Sequence, residues 1–459
     1  MSTLKLISPV DGSVYAERES ATLDEAKSAI ATARAAQRDW SRRPLNERVA
    51  VVQGFVAALL AMKDEIVPEL AWQMGRPVRY GGEFNPLKER AAYMASAAES
   101  ALANIEIESS PAFRRYIARA PLGVVMVIAP WNYPFLTAIN TIAPALIAGN
   151  AVVLKHATQT LLVGERFQMA ADKSALPRGV FRNLALDHGV TERVLGEGLV
   201  DFVNFTGSVG GGKAIERACA GTFTGVGLEL GGKDPGYVCD DGDVKRAAET
   251  LIDGAMYNSG QCCCGIERIY VAERLFDAFV EEAVSLTNAY KLGNPLDPET
   301  TLGPMAQTRF ADLVRAQTDE AVRAGAKALI DAARFPADRP GSPYLAPQIL
   351  INVDHTMRVM REESFGPVVG IMPVKDDAEA IRLMNDSDYG LTASLWTSDV
   401  ERAQRIGREI ETGTVFMNRC DYLDPALCWT GCKDTGRGGA LSVIGFHNLT
   451  RPKSYHLRT

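Results

Sequence analysis

Along the first hundred residues apolar side chains recur at helical spacing. Ala26, Ile30, Ala33 and Ala36 form a stripe of mostly small residues behind Thr22-Leu23-Asp24-Glu25, a plausible capped helix start. A longer helical pattern covers residues 45–74. At residues 113–120 the period changes to a strand-like alternation in which Arg114, Arg115 and Arg119 mix with Tyr116 and Ile117. This segment reads as an exposed arm. The end of the chain, 448–459, has a similar character: Arg451, Lys453 and Arg458 alternate with Leu449, Tyr455 and Leu457 around a proline. Both segments read as edge strands that one chain cannot satisfy, which predicts a homodimer or homotetramer.

From residue 124 strands and helices alternate. Strand patterns at 124–128, 151–154, 180–184, 202–205 and 224–230 are separated by helical patterns at 135–147, from 160 and from 210. A second alternation has strands at 266–272, 368–374, 392–396 and 414–417, with a helix at 274–286. Such order predicts two lobes, each a parallel sheet wound with helices, and a ligand crevice at the strand ends. Segments 291–303 and 334–347 are rich in Pro, Gly and Asp and read as surface connections.

The stretch 120–154 carries no formal charge and is long enough to cross a bilayer. Pro121, Pro130, Pro134 and Pro144, with Gly123 and Gly149, divide it into strand, turn, helix and strand, so it reads as buried core. A length of 459 residues also calls for at least two lobes. The formal charge of -7 offers no basic field for nucleic acid or an anionic membrane, and directs attention to small-molecule chemistry. Eight cysteines cluster without a paired framework, and residues 1–12 lack a signal-peptide pattern; both point to a reducing cytoplasm.

The most reactive-looking stretch is Gly260-Gln261-Cys262-Cys263-Cys264. A Gly-Gln turn presents a following thiol together with its amide N–H, although a single cysteine is more often an ordinary small hydrophobe. Phe205-Thr206-Gly207-Ser208 with Gly210, Gly211 and Gly212 lies where a strand passes to a helix, a place that favours a phosphate. The spacing is not GxGxxG, and steric need alone also accounts for such glycines. Glu229, before Gly231 and Gly232, is a strand-end carboxylate that reads as a general base or as a solvated charge. Asn132, in a turn bracketed by Pro130 and Pro134, reads as an oxyanion donor or as turn chemistry. Cys420, Cys428 and Cys432 have no metal-site spacing, so no metal is assigned, and the five histidines receive no role.

Taken in order, Pro130-Trp131-Asn132-Tyr133-Pro134, Lys155, Phe205-Thr206-Gly207-Ser208, Glu229-Leu230-Gly231-Gly232-Lys233, Gly260-Gln261-Cys262-Cys263 and Glu363-Ser364-Phe365-Gly366-Pro367 resemble the aldehyde dehydrogenase superfamily. The resemblance implies an α/β fold of two doubly wound parallel-sheet lobes with a β-strand oligomerisation arm. Its domains would be 1–102 and 122–231 for the dinucleotide, 232–435 for catalysis, and 103–121 with 436–459 for the arm. It makes Cys263 the nucleophile, Asn132 with the Cys263 N–H the oxyanion donors, and Glu229 the base. Strand-like alternation would point Cys263 away from Cys262 and Cys264.

The same resemblance places Lys155, Thr158, Trp131, Gly207, Ser208, Gly212, Leu230, Glu363 and Phe365 at the cofactor. Lys155-His156-Ala157-Thr158 departs from the family's common Lys-Pro-x-Glu, so a neutral hydroxyl stands where a Glu often rejects a 2′-phosphate. NAD is the first expectation, and NADP is admitted. Tyr133, Asn140, Asp421 and Tyr422 are implied at the substrate. Asn140 is neither the Arg of relatives that take acidic semialdehydes nor the aromatic of those that take amino aldehydes. The expected reaction oxidises a small aldehyde to the free acid through a thiohemiacetal and a thioester. The alternatives are a CoA-acylating semialdehyde dehydrogenase, which would generally lack Glu229, and a silent binding protein on the same fold.

Overall fold

In the computed structural model, which describes residues 2–459, the strand Val124–Ala129 is buried throughout. Val125, Val127 and Ala129 enter one apolar core, while Val124, Met126 and Ile128 enter another on the opposite face. A strand covered on both faces has no polar side, which is why this stretch is continuously apolar. It is the centre of a six-stranded sheet, in the order Gly436–Arg437, Gly225–Glu229, Phe202–Thr206, Val124–Ala129, Ala151–His156, Phe181–Asn183. All neighbours are parallel except the short Gly436–Arg437 edge. The chain leaves Val124–Ala129 towards Ala151–His156 on one side and later takes up Phe202–Thr206 on the other. That reversal opens a crevice at the carboxyl ends of the strands.

The second lobe has seven strands, in the order Lys327–Ala328, Gln348–Ile351, Val368–Val374, Ile266–Ala272, Asp234–Val238, Thr392–Trp396, Thr414–Met417. Asp234–Val238 was not read from the sequence because Pro235 and Gly236 look like a turn; a register shift between Asp234 and Pro235 accommodates the proline inside the sheet. The lobes meet where Leu230 N–H donates to Thr435 O at 2.9 Å and Thr435 Oγ1 donates to Gly231 O at 2.8 Å.

Two expectations are corrected. The helical pattern at 45–74 is two helices, Leu45–Leu60 and Lys63–Met74, separated by a short turn. Phe113–Pro121 is also not an open edge: it pairs antiparallel with Thr450–Arg458 along nine residue pairs and with Ile105–Glu106 on its other side, whereas Thr450–Arg458 stays the outer strand of that sheet, as expected. Tyr116 and Tyr455 stack across the pair at 4.5 Å. The arm is thus a three-stranded sheet within one chain, whose two halves lie far apart in sequence. Before it, the helix Ser442–Asn448 packs on Phe84–Leu102 of the first lobe.

Candidate active site

The helix Val244–Met256 ends in a tight turn, Tyr257–Gly260, in which Asn258, Ser259 and Gly260 have φ of 53°, 57° and 70°. Non-glycine residues stay left-handed only when neighbours hold them there. Asn258 Nδ2 donates to Gln261 O at 3.2 Å, Gln261 Nε2 donates to Asn258 O at 3.0 Å, and Ser259 Oγ donates to Gly303 O at 2.8 Å. Gln261 Oε1 accepts from Ala306 N at 2.8 Å. Gly260 lies directly against the backbone of Gly366, where a Cβ has no room. The loop that follows is therefore held from all sides.

Cys262, Cys263 and Cys264 lie in a turn rather than a strand, and their sulfurs converge within 4.8 Å of one another. The expected alternation, with Cys263 turned away from its neighbours, is corrected: period two requires extended backbone, and this backbone is not extended. Cys264 Sγ donates to Asp421 Oδ1 at 2.9 Å and Cys262 Sγ approaches the same oxygen at 3.4 Å. Its close thiol neighbours, Cys262 first and then Cys264, hold the Cys263 thiol below its ordinary value, against the opposing effect of burial. The Cys262 thiol is pushed up to about 12 and that of Cys264 is also raised. Only the central sulfur is set up as a thiolate. Cys420 and Cys432 instead face the carbonyls of Thr250 and Glu411.

A cavity of about 320 Å³ opens beside these thiols, between the lobes, with Tyr133, Asn140, Glu229, Tyr257, Cys263 and Tyr422 on its walls. Glu229 closes the strand Gly225–Glu229, and enclosure by protein lifts its carboxyl to about 7, with Asn204, Arg90 and Thr206 acting in the other direction. A carboxyl poised near neutrality is suited to proton abstraction. Asn132 is buried beside the cysteine turn, and its Nδ2 donates to Gln261 O at 3.2 Å, which leaves the second amide hydrogen for another acceptor.

The implied substrate residues separate in role. Asn140 is buried and accepts from Arg90 Nη1 at 3.2 Å. Tyr133 faces the cavity with its hydroxyl enclosed and unpartnered. Tyr422 donates to Glu89 at 3.0 Å, beneath the Arg419 guanidinium. Asp421 serves the flanking thiols while also lining the cavity.

The residues implied at the cofactor lie around the strand ends and the facing lobe. Lys155 ends a buried strand with 6% of its surface exposed, and burial lowers its ammonium to about 8, only partly offset by Asp187. Thr158 begins the short turn Thr158–Thr160 just beyond it. Ser208 caps the helix Val209–Cys219 by accepting from Gly211 N at 3.2 Å, and Gly207 N–H donates to Glu229 O at 3.0 Å. Gly212 is glycine for a packing reason, since a Cβ would meet Leu230 at 2.7 Å. Trp131 stacks on Phe310 at 5.3 Å and meets Phe365 edge-on at 5.6 Å. Glu363 Oε1 accepts from Gly232 N at 2.9 Å, and burial with the charge of Glu267 raises its carboxyl to about 8. This donor set fits a dinucleotide: an ammonium and a carboxylate for ribose hydroxyls, a helix N-terminus for phosphate, and an aromatic surface.

The sequence reading missed Arg76, Glu83 and Arg90. Arg76 and Glu83 form a fully buried pair at 2.6 Å; Arg76 also reaches Asn258 Oδ1 at 3.2 Å and the Asn132 carbonyl, while Glu83 Oε2 accepts from Leu136 N at 2.7 Å. This pair ties the cysteine turn to the first lobe. Arg90 did leave a signal, because it shares the buried face of Phe84–Leu102 with Leu87, Ala91 and Met94.

Comparison with known proteins agrees with this geometry. Residues 1–455 match the model of the aldehyde dehydrogenase family. The chain is 34% identical to a 4,4'-diapolycopene aldehyde oxidase of Methylomonas sp., over 99% of this chain and 86% of that protein. It is 30% identical to a succinate semialdehyde dehydrogenase (NAD(P)+) of Escherichia coli strain K12, over 96% of this chain and 95% of that one. The structure of an NADP-dependent glyceraldehyde-3-phosphate dehydrogenase from Bacillus halodurans C-125, complexed with NADP, superposes with a TM-score of 0.93 at 31% identity, covering 100% of this chain and 96% of that chain. Matched by the family model over residues 1–455 and by these relatives over nearly its whole length, the chain belongs to the aldehyde dehydrogenase family.

Proposed function

We propose that this protein oxidises an aldehyde to the free carboxylic acid with NAD or NADP as acceptor, through a thiohemiacetal and a thioester on Cys263. The observation that carries the reading is the placement of an acidified thiol and a carboxyl near neutrality on the walls of one cavity.

The Cys263 thiolate attacks the carbonyl carbon, and the C=O electron pair moves to oxygen. That oxyanion is met by the Cys263 N–H and the free amide hydrogen of Asn132. When bound, the dinucleotide supplies the acceptor for the hydride that leaves the thiohemiacetal carbon. The turn fastened by Asn258 and Gln261 keeps the sulfur fixed while the carbon becomes planar again. Glu229 then takes a proton from water, whose oxygen attacks the thioester; the C–S bond breaks and the thiolate returns. Aldehyde, oxidised dinucleotide and water become carboxylate, reduced dinucleotide and two protons. Lys155 and Glu363 would hold the ribose hydroxyls, Trp131, Gly207, Ser208, Gly212 and Leu230 would line the phosphate path, and Phe365 would pack near the nicotinamide. Thr158 leaves room for a 2′-phosphate, so both dinucleotides are accepted. Presence of Glu229 disfavours acyl transfer to CoA.

The domain reading assigns 1–102 and 122–231 to the dinucleotide, 232–435 to catalysis, and the arm to assembly of two or four chains in the cytoplasm. No helix among the described residues is long and apolar enough to cross a membrane. The test is reduced-dinucleotide formation with NAD and NADP over aliphatic, aromatic, semialdehyde and amino aldehydes without CoA, beside Cys263→Ala. Turnover by wild type alone is expected; turnover only when CoA is added would overturn the hydrolytic reading.

A further inference from the structure

The wall of the cavity formed by Phe84–Leu102 carries a charge that the mechanism above does not use. Arg90 is 7% exposed and lines the cavity that holds Cys263. Its Nη1 donates to a neutral acceptor, Asn140 Oδ1, and its Nε is enclosed without any partner. No carboxylate among the described residues lies at ion-pair distance from it; the acidic groups that face it are Glu83, already bound to Arg76, and Cys264, Cys263 and Glu229 on the walls of the same cavity. A buried guanidinium without a counter-ion is costly, and a protein retains one when a ligand supplies the missing anion.

We infer that Arg90 is the anchor for a carboxylate at the far end of the substrate, so that the enzyme's preferred substrates are acid semialdehydes. This rests on the aldehyde-oxidising reading above and deepens it. One guanidinium already engaged through Nη1 suits a monoanion; a phosphate dianion would call for a second free cation, and the other cavity arginine, Arg76, is paired. Asn140 then acts as a positioning residue: in place of an arginine on its own helix, it orients the one that arrives from Phe84–Leu102.

The test compares 4-oxobutanoate with butanal and 5-oxopentanoate with pentanal for wild type, Arg90→Lys and Arg90→Met. The ratio of kcat/KM for the acid over the neutral aldehyde is expected to fall about 100-fold in Arg90→Met, mainly through KM. Arg90→Lys is expected to recover part of the loss. Thermal shift with succinate and glutarate against butanamide reads the anchor without turnover, and the dicarboxylates are expected to stabilise wild type but not Arg90→Met. Equal losses for acid and neutral aldehydes, with a moved pH profile, would overturn the anchor and assign the guanidinium to the charges of Cys263 and Glu229. Wild-type preference for the neutral aldehydes would overturn it as well. If no aldehyde is oxidised while the Arg90-dependent thermal shift persists, the anion site stands and the catalytic reading falls.

Discussion

On the cysteine side of the cavity almost every polar group is satisfied. Asn258, Ser259 and Gln261 each bond to backbone, Arg76 is paired with Glu83, and both flanking thiols reach Asp421. The facing wall is built differently: Arg90, on Phe84–Leu102, has only the neutral Asn140 as a side-chain partner and keeps its Nε without one. The first arrangement holds a sulfur in one place, as attack on a carbonyl requires. The second leaves a cavity guanidinium with no carboxylate at ion-pair distance. On the proposed mechanism chemistry falls to the first wall and choice of substrate to the second, and the two should respond differently to mutation.

The sharpest test of that division is Cys263→Ala, expected to lower kcat by at least about 10⁴-fold with every aldehyde alike. A loss confined to one substrate class would break it. Next is Glu229→Gln, expected to slow steady turnover about 10³-fold while leaving a burst of one equivalent of reduced dinucleotide, seen by stopped-flow absorbance. Because the Glu229 carboxyl titrates at about 7 and works as its base form, the wild-type hydrolytic rate should rise with pH through neutrality, and that limb should vanish in the variant. Asn132→Ala should cost about 10²–10³ in kcat, as removal of an oxyanion donor does, across acid and neutral aldehydes equally. Full turnover by this variant would remove the oxyanion role.

Smaller effects refine the picture. Replacing Cys262 or Cys264 by Ala removes a thiol neighbour that holds the Cys263 thiol below its ordinary value. The pH midpoint for alkylation of Cys263 by iodoacetamide should therefore move upward, with the rate near pH 7 falling about tenfold. An unmoved midpoint would mean that the flanking thiols only pack. At the cofactor, Thr158→Glu should reduce kcat/KM for NADP about tenfold and spare NAD, since the added charge opposes only the 2′-phosphate.

Much of this organisation is written in local pattern. The strands Ile266–Ala272, Val368–Val374, Thr392–Trp396 and Thr414–Met417 coincide with the runs read from the sequence, because a buried strand needs a short apolar stretch and little else. The Thr22 cap is as local, with Thr22 and Glu25 bonding reciprocally. Cys263 and Glu229, which the fold brings to one cavity, and Asn132, buried beside the cysteine turn, were legible as candidates because each sits in a short motif at a turn.

What the sequence by itself determined, then, is the two α/β lobes, the strands with uninterrupted apolar runs, and the small set of residues able to do acyl chemistry. Tertiary structure alone decided the rest. Asp234–Val238 became a central strand despite Pro235 because its neighbours on both sides supplied the ladder and a shifted register. Phe113–Pro121 found Thr450–Arg458, more than three hundred residues away, instead of remaining an open edge. Three adjacent sulfurs converged because left-handed residues before them ended any extended alternation. Arg90 acquired its meaning only when its helix was laid against the cavity. Periodicity records which face a residue takes within its own element; which element that face will meet depends on how distant segments pack together.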